Sequence, residues 1–247
     1  MKVFDAHFHI IDPRFPLVEN QGYLPPPFTV NDYVTRTHHF DMVGGAIVSG
    51  SFQALDQRYL VDSLQQLGNS FVGVTQLPAT VSDEQIQTLH EHGVRAIRFN
   101  VKRGGSEHIS QLEYMAKRVH DIAGWHTELY MDAKEICNIS SMLSNVPSIC
   151  IDHLGLSKEG FPLLLKWIDK GVRVKATGFG RVDFNIKEAL KSIVSVNPNA
   201  LMFGTDLPST RAPIPFQDEH IQLIIETLGE DLASKVLYKN AMDWYKK

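Results

Sequence analysis

The sequence is poor in cysteine and has neither a long apolar run nor an excess of positive charge. Cys137 and Cys150 are the only cysteines among 247 residues, so we expect free thiols in apolar surroundings and a reducing, cytoplasmic location. No apolar run approaches the roughly 20 residues that cross a bilayer. A net charge of -4 argues against nucleic acid or an anionic membrane as a partner.

A G-x-G-x-x-G motif is also missing after the first predicted strand, which argues against a doubly wound dinucleotide-binding sheet. Instead, apolar β-branched runs alternate with amphipathic stretches of helical length. The predicted strands are residues 2–9, 43–49, 71–77, 94–100, 126–132, 148–153, 172–176 and 201–206. The helices predicted with them include residues 56–67, 82–92, 107–123, 216–228 and 231–245. This alternation predicts one domain over residues 1–247, an α/β (β/α)8 TIM barrel.

The motif D-A-H-F-H ends the first predicted strand. Because side chains alternate along a strand, His7 and His9 should share one face, with Ala6, Phe8 and Ile10 on the other. Two imidazoles on one face can hold a divalent metal or polarise a substrate oxygen. The motif therefore predicts a chemical face at the start of the barrel.

Active sites of such barrels lie at the carboxyl ends of the strands. His153 ends the sixth predicted strand and Asp206 ends the eighth, so both join His7 and His9 in a candidate catalytic cluster. The imidazoles could bind a divalent ion or donate hydrogen bonds to a carbonyl, with Asp206 as general base. Asp152 beside His153 is the alternative inward-facing residue.

Three arginines follow predicted strands at the same end of the barrel. Arg98, Arg103 and Arg181 should converge there with few carboxylates to pair them, which predicts binding of a small, multiply anionic substrate. The alternative is salt bridging at the surface. Tyr130 could donate a hydrogen bond to the same substrate or fill the top of the barrel.

Residues 11–28 form a long segment that is rich in proline and follows the first strand. Loops of this length are usually functional or disordered. Two interpretations are open: the segment covers the substrate, or it is an outer brace of stiff polyproline.

Four motifs in this order, D-A-H-F-H, G-V-R-A-I-R-F-N, I-D-H-L-G and F-G-T-D-L-P, resemble the amidohydrolase superfamily. Within it they resemble the lactonase branch of 2-pyrone-4,6-dicarboxylate hydrolases. The resemblance implies a distorted (β/α)8 barrel that hydrolyses a small carboxylate-bearing lactone, either pyrone-dicarboxylate-like or muconolactone-like. The alternatives are a metal-dependent decarboxylase of an aromatic or unsaturated acid and a non-catalytic anion-binding barrel.

The resemblance also implies roles for the site residues. His7, His9, His153 and Asp206 match the catalytic positions and would be the ligands of a metal, which is either absent or one divalent ion such as zinc or manganese. The arginines and the tyrosine that hold the substrate match Arg98, Arg103, Arg181 and Tyr130. The sequence departs from the family pattern in the length of the segment before Arg103 and at residues 209–211, where a Trp-Pro-His type sequence is common.

Overall fold

The computed structural model describes residues 1–245 and contains one sheet of eight parallel strands, each paired with the next along the chain. The strands are β1 (Lys2–Phe8), β2 (Asp41–Val48), β3 (Phe71–Thr75), β4 (Val94–Phe99), β5 (His126–Leu129), β6 (Ile149–Ile151), β7 (Arg173–Ala176) and β8 (Leu201–Phe203). At the carboxyl ends of the strands, the Asp206 amide donates to the His7 carbonyl oxygen, and the His9 amide donates to that of Leu207, both over 2.7 Å. These bonds join the first strand to the last, and the predicted (β/α)8 barrel is confirmed.

Helices alternate with the strands and pack on the outside of the sheet. They are α1 (Val30–Thr37), α2 (Arg58–Leu67), α3 (Asp83–Glu91), α4 (Leu112–Ala123), α5 (Ile136–Leu143), α6 (Phe161–Asp169), α7 (Ile186–Val196), α8 (Glu219–Ser234) and α9 (Asn240–Tyr245), with a π-helical turn, Lys235–Lys239, before α9. Capping boxes start α1 and α3, where Thr29 and Ser82 accept from the amides of Asp32 and Gln85. Such reciprocal bonds satisfy amides that the first turn leaves without partners.

Four strands end two or three residues before their predicted ends, because the chain turns out of the sheet there. They are β3, β5, β6 and β8, which end at Thr75, Leu129, Ile151 and Phe203. His153 and Asp206, which follow β6 and β8, have φ values of +51° and +62°. This left-handed conformation is incompatible with a strand and costs energy in residues other than glycine.

The side chains of β1 do not alternate strictly. The pairing of β1 with β2 shifts register between Asp5 and Phe8. As a result Ala6 packs with Phe4 in the cluster inside the barrel, whereas Phe8 and Ile10 pack in the outer layer between strands and helices. The prediction that Ala6 lies opposite the two histidines is therefore wrong, since the irregularity directs both Ala6 and His7 inward.

Residues 11–28 leave the end of β1 and return to it. Ile11 and Phe28 exchange backbone hydrogen bonds of 2.7 and 2.8 Å, and Asn20 pairs with Tyr23 at the tip. The Asn20 side chain donates to the carbonyl oxygen of Arg103 over 3.2 Å, and Tyr23 lines the pocket above the barrel. Of the two interpretations, the position of this tip favours a segment that covers the site.

No helix among residues 1–245 is long and apolar enough to cross a membrane. Both cysteines are free: Cys150 is buried inside the barrel, and Cys137 is exposed on α5. The expectation of apolar surroundings is wrong for Cys137, whose thiol faces the solvent side of a helix and contacts the Lys134 carbonyl oxygen.

Candidate active site

His7, His9 and Asp206 converge at the carboxyl end of the barrel. The Oδ1 atom of Asp206 lies 3.9 Å from Nε2 of His7 and 3.8 Å from Nε2 of His9. The backbone hydrogen bonds between the ends of β1 and β8 bring these side chains together. Gly204 permits the approach, because a Cβ at this position would lie 2.7 Å from both the amide nitrogen and the Cβ of His7.

His9 presents a lone pair to the site. Its Nδ1 lies 2.6 Å from the carbonyl oxygen of Val48, which can only accept, so Nδ1 carries the proton. Burial, and then the positive charges around it, lower the pKa of His9 well below its usual value, which keeps the ring neutral. Nε2 is therefore an acceptor, and direct donation from all three imidazoles to a carbonyl does not fit His9.

Asp206 has one oxygen held and one free. Its Oδ2 accepts from Nε and Nη2 of Arg181 over 2.8 and 2.7 Å. Its Oδ1 is buried and has no hydrogen-bond partner among the described residues. Burial raises the pKa of Asp206 above its usual value, while the charge of Arg181 opposes that rise. The free oxygen is suited to accept a proton.

His153 stands across the site from the first two histidines. Its ring centroid lies 4.8 Å from that of His7 and 5.0 Å from that of Tyr130. Burial and the charge of Arg181 lower its pKa well below the usual value, so this imidazole is neutral as well. Gly178 makes room for it, since a Cβ there would lie 2.5 Å from Nδ1 of His153.

Asp152 is a buried partner that sequence reasoning offered only as an alternative to His153. Both residues face inward, with Asp152 deeper in the barrel. Its Oδ2 accepts from Nε and Nη2 of Arg98 over 3.1 and 2.8 Å, and its Oδ1 lies 3.3 Å from Nδ1 of His7. Despite the opposing effect of burial, the charges of Arg98 and Lys175 hold the pKa of Asp152 well below its usual value.

Arginine pairing differs from the prediction. Arg98 is ion-paired with Asp152, and Arg181 with Asp206, so the expectation of few carboxylates near them is wrong. The carboxylates come from the ends of β6 and β8, which meet the arginines only in the closed barrel. Both guanidinium groups still line the pocket together with Arg103 and Tyr130, so the structure brings the four predicted substrate-binding residues to one cavity.

Beneath the site lies a buried ionic chain that the sequence analysis missed. Lys175 forms an ion pair with Glu128, and its Nζ lies 3.4 Å from Nδ1 of His7. The second oxygen of Glu128 accepts from the Tyr245 hydroxyl over 2.5 Å and lies 3.1 Å from Nε2 of His126. A sequence signal existed, since Glu128 and Lys175 are charged residues in the middle of short predicted strands, and Lys175 lies between the apolar residues Val174 and Ala176.

The donor set fits a divalent cation. His7, His9 and Asp206 each offer one ligand atom within 4.8 Å of the others, and His7, Asp152 and His153 form an overlapping group. Nε2 of His7 and Oδ1 of Asp206 are buried without hydrogen-bond partners among residues 1–245. Donation from a ligating histidine to a backbone carbonyl, as His9 makes, is typical of metal sites. The first group fits better, because Asp152 pairs with two cations, Arg98 and Lys175, whereas Asp206 pairs only with Arg181.

Comparison with known families identifies the family of this chain. The sequence model of the Amidohydrolase family matches residues 4–247. The chain belongs to the Amidohydrolase family. This confirms the predicted superfamily and the prediction that the protein is a hydrolase.

Relatives include a 2-pyrone-4,6-dicarboxylate hydrolase from Comamonas testosteroni, which is 24% identical over 98% of this chain and 89% of its own length. An Acinetobacter baumannii structure, named as a probable 2-pyrone-4,6-dicarboxylic acid hydrolase with citric acid bound, has a TM-score of 0.87 at 18% identity and full coverage of both chains. A lactonase from Listeria monocytogenes has a TM-score of 0.62 at 12% identity, covering 98% of this chain and 94% of the other. These structural likenesses show the shared barrel.

Proposed function

We propose that this amidohydrolase opens a small lactone that carries carboxylate groups, by attack of water on the lactone carbonyl. The observation that carries the proposal is Asp206, whose Oδ2 is fixed by Arg181 while Oδ1 is free and faces His7 and His9. The names of the Comamonas testosteroni and Acinetobacter baumannii relatives support a 2-pyrone-4,6-dicarboxylate-like substrate. A muconolactone-like substrate has the same reacting group.

Asp206 acts as the general base. Its Oδ1 takes a proton from water as the oxygen of that water bonds to the carbonyl carbon, and a tetrahedral oxyanion forms. When this species collapses, the ring carbon–oxygen bond breaks and the proton passes from Asp206 to the leaving oxygen. Arg181 keeps the carboxylate in place throughout, and positioned proton transfer of this kind contributes about 10²–10⁴ in rate.

The oxyanion develops among buried, neutral imidazoles. His153 and Tyr130 line the same pocket as Asp206, and each has a polar atom suited to hydrogen bonding with substrate oxygens. A divalent ion held by His7, His9 and Asp206, with His153 as a further ligand, would supply positive charge that polarises the lactone carbonyl. Zinc and manganese both accept this set of nitrogen and oxygen ligands.

Substrate carboxylates bind to the arginines that line the pocket. Arg98 and Arg181 donate hydrogen bonds to Asp152 and Asp206. Because a guanidinium has five N–H groups, each can also donate to a second acceptor. Their fixed orientation aligns the ring with Asp206. Arg103 and Tyr130 complete the contacts that we assign to the substrate.

The test is ring opening across a panel of lactones, with proton release and carbon dioxide evolution measured in parallel. The panel runs from 2-pyrone-4,6-dicarboxylate through muconolactones to neutral sugar lactones, with enzyme supplied with zinc or manganese and enzyme treated with chelator. We expect turnover confined to carboxylate-bearing lactones, with no carbon dioxide released. Absence of turnover on every lactone would refute the proposal, and carbon dioxide release from an unsaturated acid would identify a decarboxylase instead.

We also propose that the protein works in a reducing, cytoplasmic compartment, which the two free thiols support. Fractionation of the source cells followed by immunodetection tests this. Detection outside the cytoplasmic fraction would contradict the proposal.

A further inference from the structure

We propose that Arg211 and Arg103 form a second anion subsite at the mouth of the pocket, which selects lactones with a carboxylate far from the reacting carbonyl. This subsite rests on the proposed function, and it deepens that function by naming the substrate class. It also assigns a binding role to Arg211, which stands in a segment where the sequence departs from the family pattern.

Arg211 is positioned by the tip of the segment that covers the site. Its Nη2 donates to the backbone oxygen of Asn20, and its Nη1 lies 3.4 Å from the Asn20 side-chain oxygen. The guanidinium carbon stands 4.6 Å from the centroid of the Tyr23 ring. The Asn20 side chain also holds the backbone of Arg103, so one loop tip brings together arginines that follow β4 and β8.

The backbone of Arg211 is held in place from the other side as well. Ser209 and Arg211 both have positive φ values, +66° and +56°, a conformation that non-glycine residues adopt only where the surroundings enforce it. Here the Ser209 hydroxyl accepts from the Phe216 amide over 3.0 Å, and the Arg181 guanidinium donates to the Thr210 carbonyl oxygen over 2.7 Å. The segment is therefore rigid where it presents Arg211 to the pocket.

The two arginines at the mouth of the pocket differ from the two inside it in whether a carboxylate neutralises their charge. Arg98 and Arg181 each have a carboxylate partner, but within residues 1–245 no carboxylate forms an ion pair with Arg103 or Arg211. Both of these line the pocket. Partial burial, and then the positive charge of Arg103, lower the pKa of Arg211. Two cations that face one cavity without an acid are stabilised by an anion between them.

A carboxylate is the anion that this geometry favours. Guanidinium groups bind planar carboxylates through paired hydrogen bonds, and the inner arginines have donors already committed to Asp152 and Asp206. An acid group close to the reacting ring bond would meet Arg98 and Arg181. A second acid group on the far side of the ring would meet Arg103 and Arg211.

The experiment compares a dicarboxylate lactone with its two monoamides, in each of which one carboxylate is replaced by a neutral carboxamide of the same shape. KM and kcat are measured for wild type, Arg211→Gln and Arg211→Lys. We expect Arg211→Gln to raise KM for the dicarboxylate about tenfold or more, which corresponds to at least one charge-assisted hydrogen bond, with kcat within about threefold. For the monoamide that lacks the outer carboxylate, Arg211→Gln should change KM by less than about twofold.

Three control measurements distinguish binding from support of the loop. Arg58→Gln removes the same charge from an exposed ion pair with Asp56 outside the pocket and should leave all three substrates unaffected. Asn20→Ala keeps both charges but removes the side-chain contacts that position Arg211 and the Arg103 backbone, so it should raise KM mainly for the substrates that carry the outer carboxylate, and by less than Arg211→Gln. Arg211→Lys keeps the positive charge, so its KM for the dicarboxylate should lie between the values of wild type and Arg211→Gln.

Equal losses on all three substrates in Arg211→Gln would overturn the subsite, as would no change on any. If wild-type protein opens none of these lactones, calorimetric titration with the same three compounds tests the subsite alone. Tighter binding of the dicarboxylate to wild type than to Arg211→Gln would support the subsite while the hydrolase proposal fails. Equal affinities would overturn the subsite.

Discussion

Gly178 has no reactive group, yet we predict that adding one methyl group there disables the site. In Gly178→Ala the new Cβ would lie 2.5 Å from Nδ1 of His153 and 2.8 Å from Cδ of Arg181. Restoring an ordinary contact of 3.4 Å moves the imidazole by about 0.9 Å. A misplacement of about 1 Å in a catalytic constellation costs about 10²-fold in rate, so kcat/KM should fall about a hundredfold.

Backbone strain alone must be separated from this steric effect. Gly178 has a φ of +59°, and placing an L-residue in that region costs roughly 1–2 kcal/mol. Gly124, with a φ of +68°, has nothing within 4 Å of an added Cβ, so Gly124→Ala is the matched control. Urea unfolding should show a loss of roughly 1–2 kcal/mol in Gly124→Ala and a loss at least as large in Gly178→Ala, where the steric contacts add to the backbone strain. The lactone assay should show a large loss only in Gly178→Ala.

The reasoning is refuted if Gly178→Ala, folded by circular dichroism, keeps the kcat/KM of Gly124→Ala. That result would mean that His153 and Arg181 tolerate displacement, and neither would then be a precisely oriented part of the site. A strong loss in both variants would point to stability instead of geometry as the cause.

Three further predictions concern charge. Asp206→Asn should lower kcat by about 10²–10⁴ with KM within a few-fold, and near-normal turnover would remove Asp206 from the chemistry. As the control, Asp218→Asn removes a half-buried carboxylate outside the pocket and should keep wild-type kinetics. Burial raises the pKa of Asp5 to about 6, so the folded protein binds a proton that the unfolded chain has lost, and the free energy of unfolding should fall by up to about 3 kcal/mol between about pH 4 and pH 6. Urea titrations should show this pH dependence in wild type and not in Asp5→Asn. Lys175→Met leaves Glu128 buried without its cation and should lower the free energy of unfolding by about 3–5 kcal/mol, and the double variant Lys175→Met with Glu128→Gln should recover part of that loss. Equal urea unfolding midpoints for wild type and Lys175→Met would contradict this.

Strand–helix periodicity was sufficient to predict the barrel, because each unit packs the outer face of a strand against one apolar stripe of a helix. The same periodicity was insufficient at β1, where the register shift places Ala6 and His7 on the same side. The periodicity also predicted that β6 and β8 continue past their observed ends, where His153 and Asp206 have left-handed backbone conformations. These departures depend on hydrogen bonds between strands that are distant in sequence, which a local pattern does not contain.

Candidate site residues were predictable from their position at strand ends, but their partners were not. Nothing in the sequence indicated that Arg98 has a carboxylate partner, because Asp152 lies 54 residues away along the chain. Arg211 drew attention only as a departure from a family pattern, and its contact with Asn20 spans 191 residues. Pairing of charges is thus a property of the closed barrel, and position along the chain predicts only which residues reach its mouth.

The buried chain from Tyr245 to His7 shows how the closed barrel connects its two ends. Tyr245 on the last helix contacts Glu128, Glu128 contacts Lys175, and Lys175 reaches His7 and Asp152 beneath the candidate metal ligands. Each member is charged or polar and has no access to water, so loss of one leaves its neighbour unpaired in a low-dielectric interior. Because Asp152 contacts Lys175 as well as His7, the orientation of His7 depends on the Lys175–Glu128 ion pair, which lies outside the pocket.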